Sequence, residues 1–141
     1  MAAIGWILSS VLAVGPIANP GFEDDGTGTA SPMGWTSVGA EPADFTEAGG
    51  HSGGFRLSHW SPAAFSVETR QSLPVRRRGW YTLRAWVRRG AGENDSYVEL
   101  ECGGRPKRAH LPVAWPNEWL QVVVSARARR DSCTIALHTT A

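Results

Sequence analysis

Hydrophobic and polar residues alternate along short segments of this chain. In residues 80–87, WYTLRAWV, every second position is apolar, and Arg84 and Trp86 lie on the opposite face. About nine or ten such segments follow one another at the spacing of 8–12 residues that is typical of β-sandwiches, and none has a sustained helical period. The pattern predicts an all-β protein with a sandwich of two antiparallel sheets.

Length and composition agree with this prediction. The chain has 141 residues, of which 16 are glycine and 9 are proline, so it has the length of one domain with many turns. The net charge is +1, and no attraction of the whole chain to nucleic acid or to an acidic membrane is expected. Two arginine-rich runs, residues 76–80 and 127–130, are interpreted as solvated hairpin turns.

The first 18 residues form an apolar stretch of signal-peptide length. Small residues occur at Ala13 and Gly15, although the basic start of a signal peptide is missing. Residues 1–18 are interpreted as a truncated signal peptide or leader, and the protein is expected to be secreted. A first β-strand is the alternative. Gly15 and Pro16 make the stretch too short and too interrupted for a membrane span.

The two cysteines, Cys102 and Cys133, lie in strand-like segments. In a secreted β-domain they would most simply form one disulfide, which closes a loop of about 30 residues. A catalytic thiol is disfavoured because no motif places a histidine beside either cysteine, and a zinc site would need more ligands at short spacing. We therefore predict a structural disulfide.

Candidate binding chemistry is concentrated in residues 49–61, GGHSGGFRLSHWS. A glycine-rich turn leads into a strand in which Leu57 and His59 fall on one face and Arg56 and Trp60 on the other. An exposed indole stacks on the C–H face of a sugar ring, and planar charged side chains bind hydroxyls in pairs. A carbohydrate is therefore the expected ligand.

Five residues are predicted to form the carbohydrate-binding face or its rim: Trp60, His59, Arg84, Trp86 and Arg56. Each tryptophan has a core position as its alternative, since indoles in two-sheet proteins are usually buried. His59 falls on the apolar side unless a bulge before Pro62 turns it outward. It is therefore either a ligand to a sugar hydroxyl or a buried core histidine.

Several strings together resemble a known family. They are NPGFE at 19–23, Pro32 with Gly34 and Trp35, the run 49–61, ETRQSL at 68–73, GWYTLRAWVR at 79–88 and CGG at 102–104. The combination resembles the galactan-binding carbohydrate-binding modules attached to bacterial arabinogalactan endo-β-1,4-galactanases, from about residue 19 to the end. The resemblance implies a jelly-roll fold, β-galactan or galacto-oligosaccharide as partner, and a covalently linked catalytic domain in the parent protein.

The same resemblance implies a structural calcium ion. Its ligands would be the carboxylate of Glu23 and main-chain oxygens around Ser52, which suit a hard cation. Modules of this kind usually finish with a strand carrying an Asp-Asp-Val-type motif that supplies another carboxylate, and this sequence stops at HTTA. The module at 19–141 is therefore expected to lack its last strand, with an incomplete calcium site.

The sequence offers no catalytic motif. Glycosidases need two carboxyl groups at a defined separation, and no spacing singles out a pair among the glutamates, of which the candidates are Glu47, Glu68, Glu99 and Glu101. The chain is therefore expected not to be an enzyme. One alternative is the N-terminal piece of the galactanase itself, but a barrel-type catalytic domain needs about 250 residues. Another is a jelly-roll that binds a protein.

Overall fold

The computed structural model describes residues 4–11, 17–23, 32–39, 44–89, 95–111 and 118–141. These residues form ten β-strands and no helix. The strands are β1 (Ile4–Val11), β2 (Thr36–Gly39), β3 (Asp44–Ala48), β4 (Phe55–His59), β5 (Ser66–Pro74), β6 (Trp80–Arg89), β7 (Asp95–Glu101), β8 (Lys107–His110), β9 (Trp119–Arg127) and β10 (Ser132–Thr140). The all-β prediction is confirmed.

The strands form two five-stranded sheets. Sheet A has the order β3-β4-β1-β6-β9, and sheet B has the order β2-β5-β10-β7-β8. Every strand pair is antiparallel. The sandwich of two antiparallel sheets that the sequence pattern predicted is therefore confirmed.

The core lies between the sheets, and alternation along the strands builds it. On β6 the buried residues are Leu83, Ala85 and Val87, and on β10 they include Ile135 and Leu137. Burying a side chain of this size stabilises the fold by about 1.5–3 kcal/mol. The residues that alternate with them on β6 consequently lie on the outer face of sheet A.

The predicted disulfide is present. Cys102 follows β7 and is bonded to Cys133 on β10, with their Cα atoms 4.2 Å apart. The register pairs Thr134 with Glu101, so the bridge extends the β7–β10 ladder by one residue pair. A disulfide that closes a loop of this length contributes about 2–4 kcal/mol, mainly by restricting the unfolded chain.

Residues 4–11 occupy the centre of sheet A. As β1 they pair with β6 over eight residue pairs and with β4 over three. The structure thus places a first strand within the segment that was also interpreted as a leader, and the leader itself stays a prediction. Among the described residues, no helix has the length and apolar character needed to cross a membrane.

Candidate functional site

The outer face of sheet A carries the polar positions of β6. Arg84, Trp86 and Arg88 alternate with buried residues and therefore face away from the core. The register with β9 sets Trp86 opposite Gln121 and Arg88 opposite Trp119. Cross-strand neighbours on one face lie within side-chain contact, so two indoles and two guanidinium groups share this surface.

Three aromatic rings, His51, Trp86 and Trp119, form what we call the aromatic cluster. The His51 ring stacks on Trp86 with centroids 4.1 Å apart and an angle of 11° between planes. Trp119 meets His51 edge-on at 5.5 Å. The guanidinium of Arg88 lies 5.4 Å from the centroid of Trp119, within cation–π range. The cluster is thus a group of three packed rings with a cation at its border.

Arg56 holds the turn between β3 and β4. Its Nε and Nη2 donate to Glu47 Oε1 at 3.1 and 2.8 Å, and its Nη1 donates to the carbonyls of Ala48 and Gly49 at 3.0 and 2.8 Å. Ser58 also donates to Glu47. The predicted sugar ligand Arg56 is thus committed to protein partners, and it positions the start of the loop that carries His51.

Arg88 lies on this face, and its surroundings lower its pKa. Burial lowers the pKa of Arg88, the positive charge of Arg56 lowers it further, and Glu47 opposes these effects. Gly5 of β1 is paired with Ser58 of β4 on one side and with Arg88 of β6 on the other. The charged side chains of β4 and β6 are therefore separated by one strand. An arginine remains charged in any such setting. Arg88 is therefore a partly desolvated donor next to the aromatic cluster.

Glu23 anchors the loop at residues 49–54. Its two carboxylate oxygens accept hydrogen bonds from the backbone N–H groups of Gly54 at 3.2 Å and Phe55 at 3.1 Å. A Cβ at Gly53 would collide with Glu23 Oε1, so a larger residue there would displace this carboxylate. The loop closes with a hydrogen bond from Gly49 N–H to the Gly54 carbonyl at 2.8 Å. Glu23 thereby fixes the backbone beside His51.

The donors at this loop fall short of a calcium cage. Calcium takes six to eight oxygen ligands, and Glu23 is the carboxylate that the described residues supply here, with both its oxygens already accepting backbone N–H groups. Across the described part of the chain, no group of three His, Cys, Asp or Glu side chains could hold a metal ion. Calcium ligation by Glu23 and Ser52 stays a prediction.

Replacing Glu23 by glutamine is expected to lower the free energy of unfolding by about 0.5–1.5 kcal/mol, because one of the two acceptor oxygens and the charge are lost from exposed hydrogen bonds. Urea denaturation of E23Q measures this, with the exposed Glu118→Gln as matched control. Repeating both with millimolar calcium tests the metal prediction, since only a Glu23 site would make calcium stabilisation depend on this residue. Equal stability of E23Q and wild type would contradict the anchoring role.

His59 lies in the core and is removed from the predicted sugar-binding set. Its ring has 0% exposure, with Nδ1 2.9 Å from Thr139 Oγ1 and Nε2 2.9 Å from Thr69 Oγ1. The Thr69 hydroxyl donates to Asp44 Oδ2 at 2.7 Å, so Thr69 accepts from His59 Nε2–H and Nδ1 is the acceptor. Desolvation by burial lowers the pKa of His59 to about 3.

The other predicted residues divide between the face and its edge. Arg84 and Trp86 lie on the outer face of sheet A, where Arg84 is paired with the exposed Val123. Trp60 comes directly after β4 and is half-buried. The two tryptophans that contact the His51 ring are Trp86 and Trp119. Of the predicted residues, Trp86 is thus a member of the cluster and Arg84 lies beside it on β6.

The sequence reasoning missed His51, Arg88 and Trp119. Alternation along β6 already puts Arg88 on the face of Trp86, two residues further on, so that signal was present. Trp119 becomes a neighbour only through the β6–β9 register. His51 reaches Trp86 from a turn, and strand periodicity carries no information about a turn residue.

Comparison with known proteins identifies a structural neighbour. No protein-family model matches the chain, and no curated protein matches it. A solved structure described as TmCBM61 in complex with β-1,4-galactotriose superposes with a TM-score of 0.72 and 20% sequence identity, covering 94% of this chain and 88% of that chain. The chain therefore has the β-sandwich fold of TmCBM61, which is the fold that the family resemblance implied.

Proposed function

We propose that this chain is a non-catalytic module that binds β-1,4-galactan or galacto-oligosaccharides on the outer face of sheet A. The observation that carries the proposal is the aromatic cluster of His51, Trp86 and Trp119 with Arg88 at its edge. The structural neighbour TmCBM61 was solved with β-1,4-galactotriose, which supports the same class of ligand for this chain.

The chemistry of the face suits a neutral sugar. The C–H groups of a galactopyranose ring gather on one side of the ring and pack against an indole. Hydroxyls at the rim of the ring need planar donors and acceptors, which Arg84, Arg88 and the exposed Gln121 supply around Trp86. Binding by stacking with few hydrogen bonds requires no charge on the ligand.

The arrangement of the glutamates supports a role without catalysis. Glu47 lies on sheet A and is bonded to Arg56, whereas the other three candidates lie on β5 and β7 of sheet B. There Glu68 faces Arg70, Glu99 binds Arg108, and Glu101 accepts from the Gly103 N–H. A glycosidase needs two carboxyl groups flanking one bond, and these are held in separate contacts.

In the parent protein, we propose that the module holds a linked glycoside hydrolase on its polysaccharide outside the cell. Support for a place outside the cell comes from the Cys102–Cys133 disulfide, which suits an oxidising environment.

Trp86→Ala is expected to weaken galactotriose binding by about ten- to a hundredfold, because the variant removes the ring on which His51 stacks and with it the centre of the aromatic cluster. Calorimetric titration with β-1,4-galactotriose measures the affinity, and a thermal melt of the same sample measures stability. Trp80→Ala is the matched control, since Trp80 lies on the same face at the other end of β6 and is 71% exposed. Its galactotriose affinity should equal that of wild type.

Two outcomes would overturn the proposed site. In one, W86A is strongly destabilised while its folded fraction binds galactotriose normally, which would make the cluster a packing feature. In the other, wild type binds no galactan at millimolar concentration and instead captures a protein, as the jelly-roll alternative requires.

A further inference from the structure

Three turns meet at one end of the sandwich, and backbone hydrogen bonds join them. The N–H of Arg78 donates to the Ala128 carbonyl at 2.7 Å, and the N–H of Ala128 donates to the Gly79 carbonyl at 2.8 Å. The N–H of Arg129 donates to the Cys102 carbonyl at 2.8 Å. These bonds tie together the connections β5–β6, β9–β10 and β7–β8, so the end of the sandwich is one defined surface.

This surface encloses a groove of about 650 Å³, which we call the basic groove. Its wall includes Trp80, whose side chain is 71% exposed. No carboxylate of the described residues lines it, whereas six cationic side chains do: Arg77, Arg78, Arg105, Lys107, Arg127 and Arg129. The arginine-rich runs at 76–80 and 127–130, separate in the sequence, thus become the two sides of one site.

Among the residues that the structure describes, no cation of the basic groove forms an ion pair. Six of the 14 Lys and Arg residues of the chain line it, although the net charge is only +1. In the described residues, the ion pairs of arginine are made by Arg56, Arg70 and Arg108, all elsewhere. Like charges held this close repel one another. A bound polyanion would remove that repulsion.

The backbone at the groove also departs from ordinary geometry. Arg78 has φ 69°, in the left-handed region that favours glycine. Such a conformation costs of order 1 kcal/mol for a residue with a side chain, and strain of this kind gathers at functional sites. The neighbouring turn uses Gly103 at φ 80°, where a Cβ would collide with Arg130. The Arg130 side chain therefore packs against the turn between β7 and β8.

We propose that the basic groove binds a carboxylated polysaccharide, a chain of uronic acid residues. The planar guanidinium fork matches a carboxylate in paired hydrogen bonds, and the exposed face of Trp80 suits the C–H face of a sugar ring. Trp80 is the one indole in the described lining, whereas single-stranded nucleic acid stacks successive bases on successive aromatic rings. The described lining consists of turns and strand ends, so it offers no helix to enter a duplex groove.

The basic groove stands apart from the proposed galactan site. Trp80 and Trp86 lie on the same face of β6, separated by six residues, or about 20 Å of extended strand. That distance exceeds the screening length of about 8 Å at physiological salt. The protein would then hold a neutral and an acidic polysaccharide at two places on one face.

The test is affinity for polygalacturonate, with its fully methyl-esterified form as an uncharged control of the same backbone. Wild type is expected to bind polygalacturonate at least tenfold more tightly than the ester and to lose that difference in 0.5 M NaCl, where the screening length is about 4 Å.

The double variant Arg105→Gln, Arg129→Gln should bind polygalacturonate at least tenfold more weakly than wild type does. The matched variant Arg70→Gln, Arg108→Gln removes the same charge from sheet B and should bind as wild type does. Both variants should retain galactotriose affinity, so loss of one activity is distinguishable from loss of the other.

Three results would overturn the proposal. Equal affinity for polygalacturonate and its ester would show that the carboxylate charge does not contribute to binding. An equal loss of affinity in the two double variants would mean that binding depends on the net charge of the protein and not on the groove. Tighter binding of single-stranded DNA or of a sulfated polysaccharide than of polygalacturonate at the same salt would assign the groove to a phosphate or sulfate polymer.

Discussion

Acidification from pH 7 to pH 3 is expected to destabilise the folded chain by about 4–5 kcal/mol through His59 alone. Desolvation holds the pKa of this histidine at about 3, with an opposing contribution from Asp44 and a small further lowering from His138. The unfolded chain binds a proton at about pH 6.5, whereas the folded chain does not. Stability is therefore complete above pH 6.5 and is lost progressively as the pH falls toward 3, with about 2 kcal/mol gone by pH 5.

Urea denaturation at half-unit pH steps measures this loss, and a His59→Gln variant is its control. Glutamine does not titrate and retains an amide that reaches Thr69, so the variant should be less stable at pH 7 but should lose less on acidification to pH 5. The His59 ring resonances of wild type should not titrate between pH 5 and 8. A ring that titrates near pH 6.5, or equal pH slopes in the two proteins, would contradict the buried neutral histidine.

Phe22→Ala is expected to cost about 3–5 kcal/mol of unfolding free energy, because it opens a cavity under the segment before Glu23. The Phe22 ring is 0% exposed and lies 5.4 Å from the ring of Trp35 at 45°. Trp35 is itself tied to this segment, since its Nε1–H donates to the carbonyls of Ala18 and Asn19 at 3.1 and 3.3 Å.

Chemical denaturation of F22A and of the milder Phe22→Leu variant tests this expectation. Both keep the left-handed backbone at this position, where φ is 59°, so the comparison isolates side-chain volume. Leucine should lose clearly less stability than alanine. A loss below about 1 kcal/mol for F22A would fall outside the range for a buried aromatic residue, and the NPGFE segment would then be a surface feature.

The sandwich could be predicted because period-two alternation is a local property of the sequence. Leu83, Ala85 and Val87 are buried as the alternation in WYTLRAWV requires, and the strand-like context of Cys102 and Cys133 was sufficient to pair them. Sheet order is different in kind. The place of residues 4–11 between β4 and β6 depends on contacts between distant segments, and the same apolar composition also suited a leader peptide.

The candidate site was predictable only where one strand determined it. Arg84 and Trp86 follow from β6 alone, whereas Trp119 joins them through pairing with β9. A histidine beside a tryptophan suggested a sugar ligand, but the alternation placed His59 on the inward face. The threonines that bond its ring nitrogens come from β5 and β10, which the sequence around His59 does not reveal. The basic groove likewise needed three turns to converge, so each arginine run taken singly indicated a solvated turn.

Loss of β1 would divide sheet A. Without residues 4–11, β4 and β6 would lose their shared neighbour, and each would present a row of unpaired backbone N–H and C=O groups within what had been the middle of the sheet. Exposed strand edges of this kind recruit strands from other molecules. A chain trimmed by a protease after Val11 would therefore be prone to self-association, and a peptide with the sequence IGWILSSV added in trans would be the natural means of closing the gap.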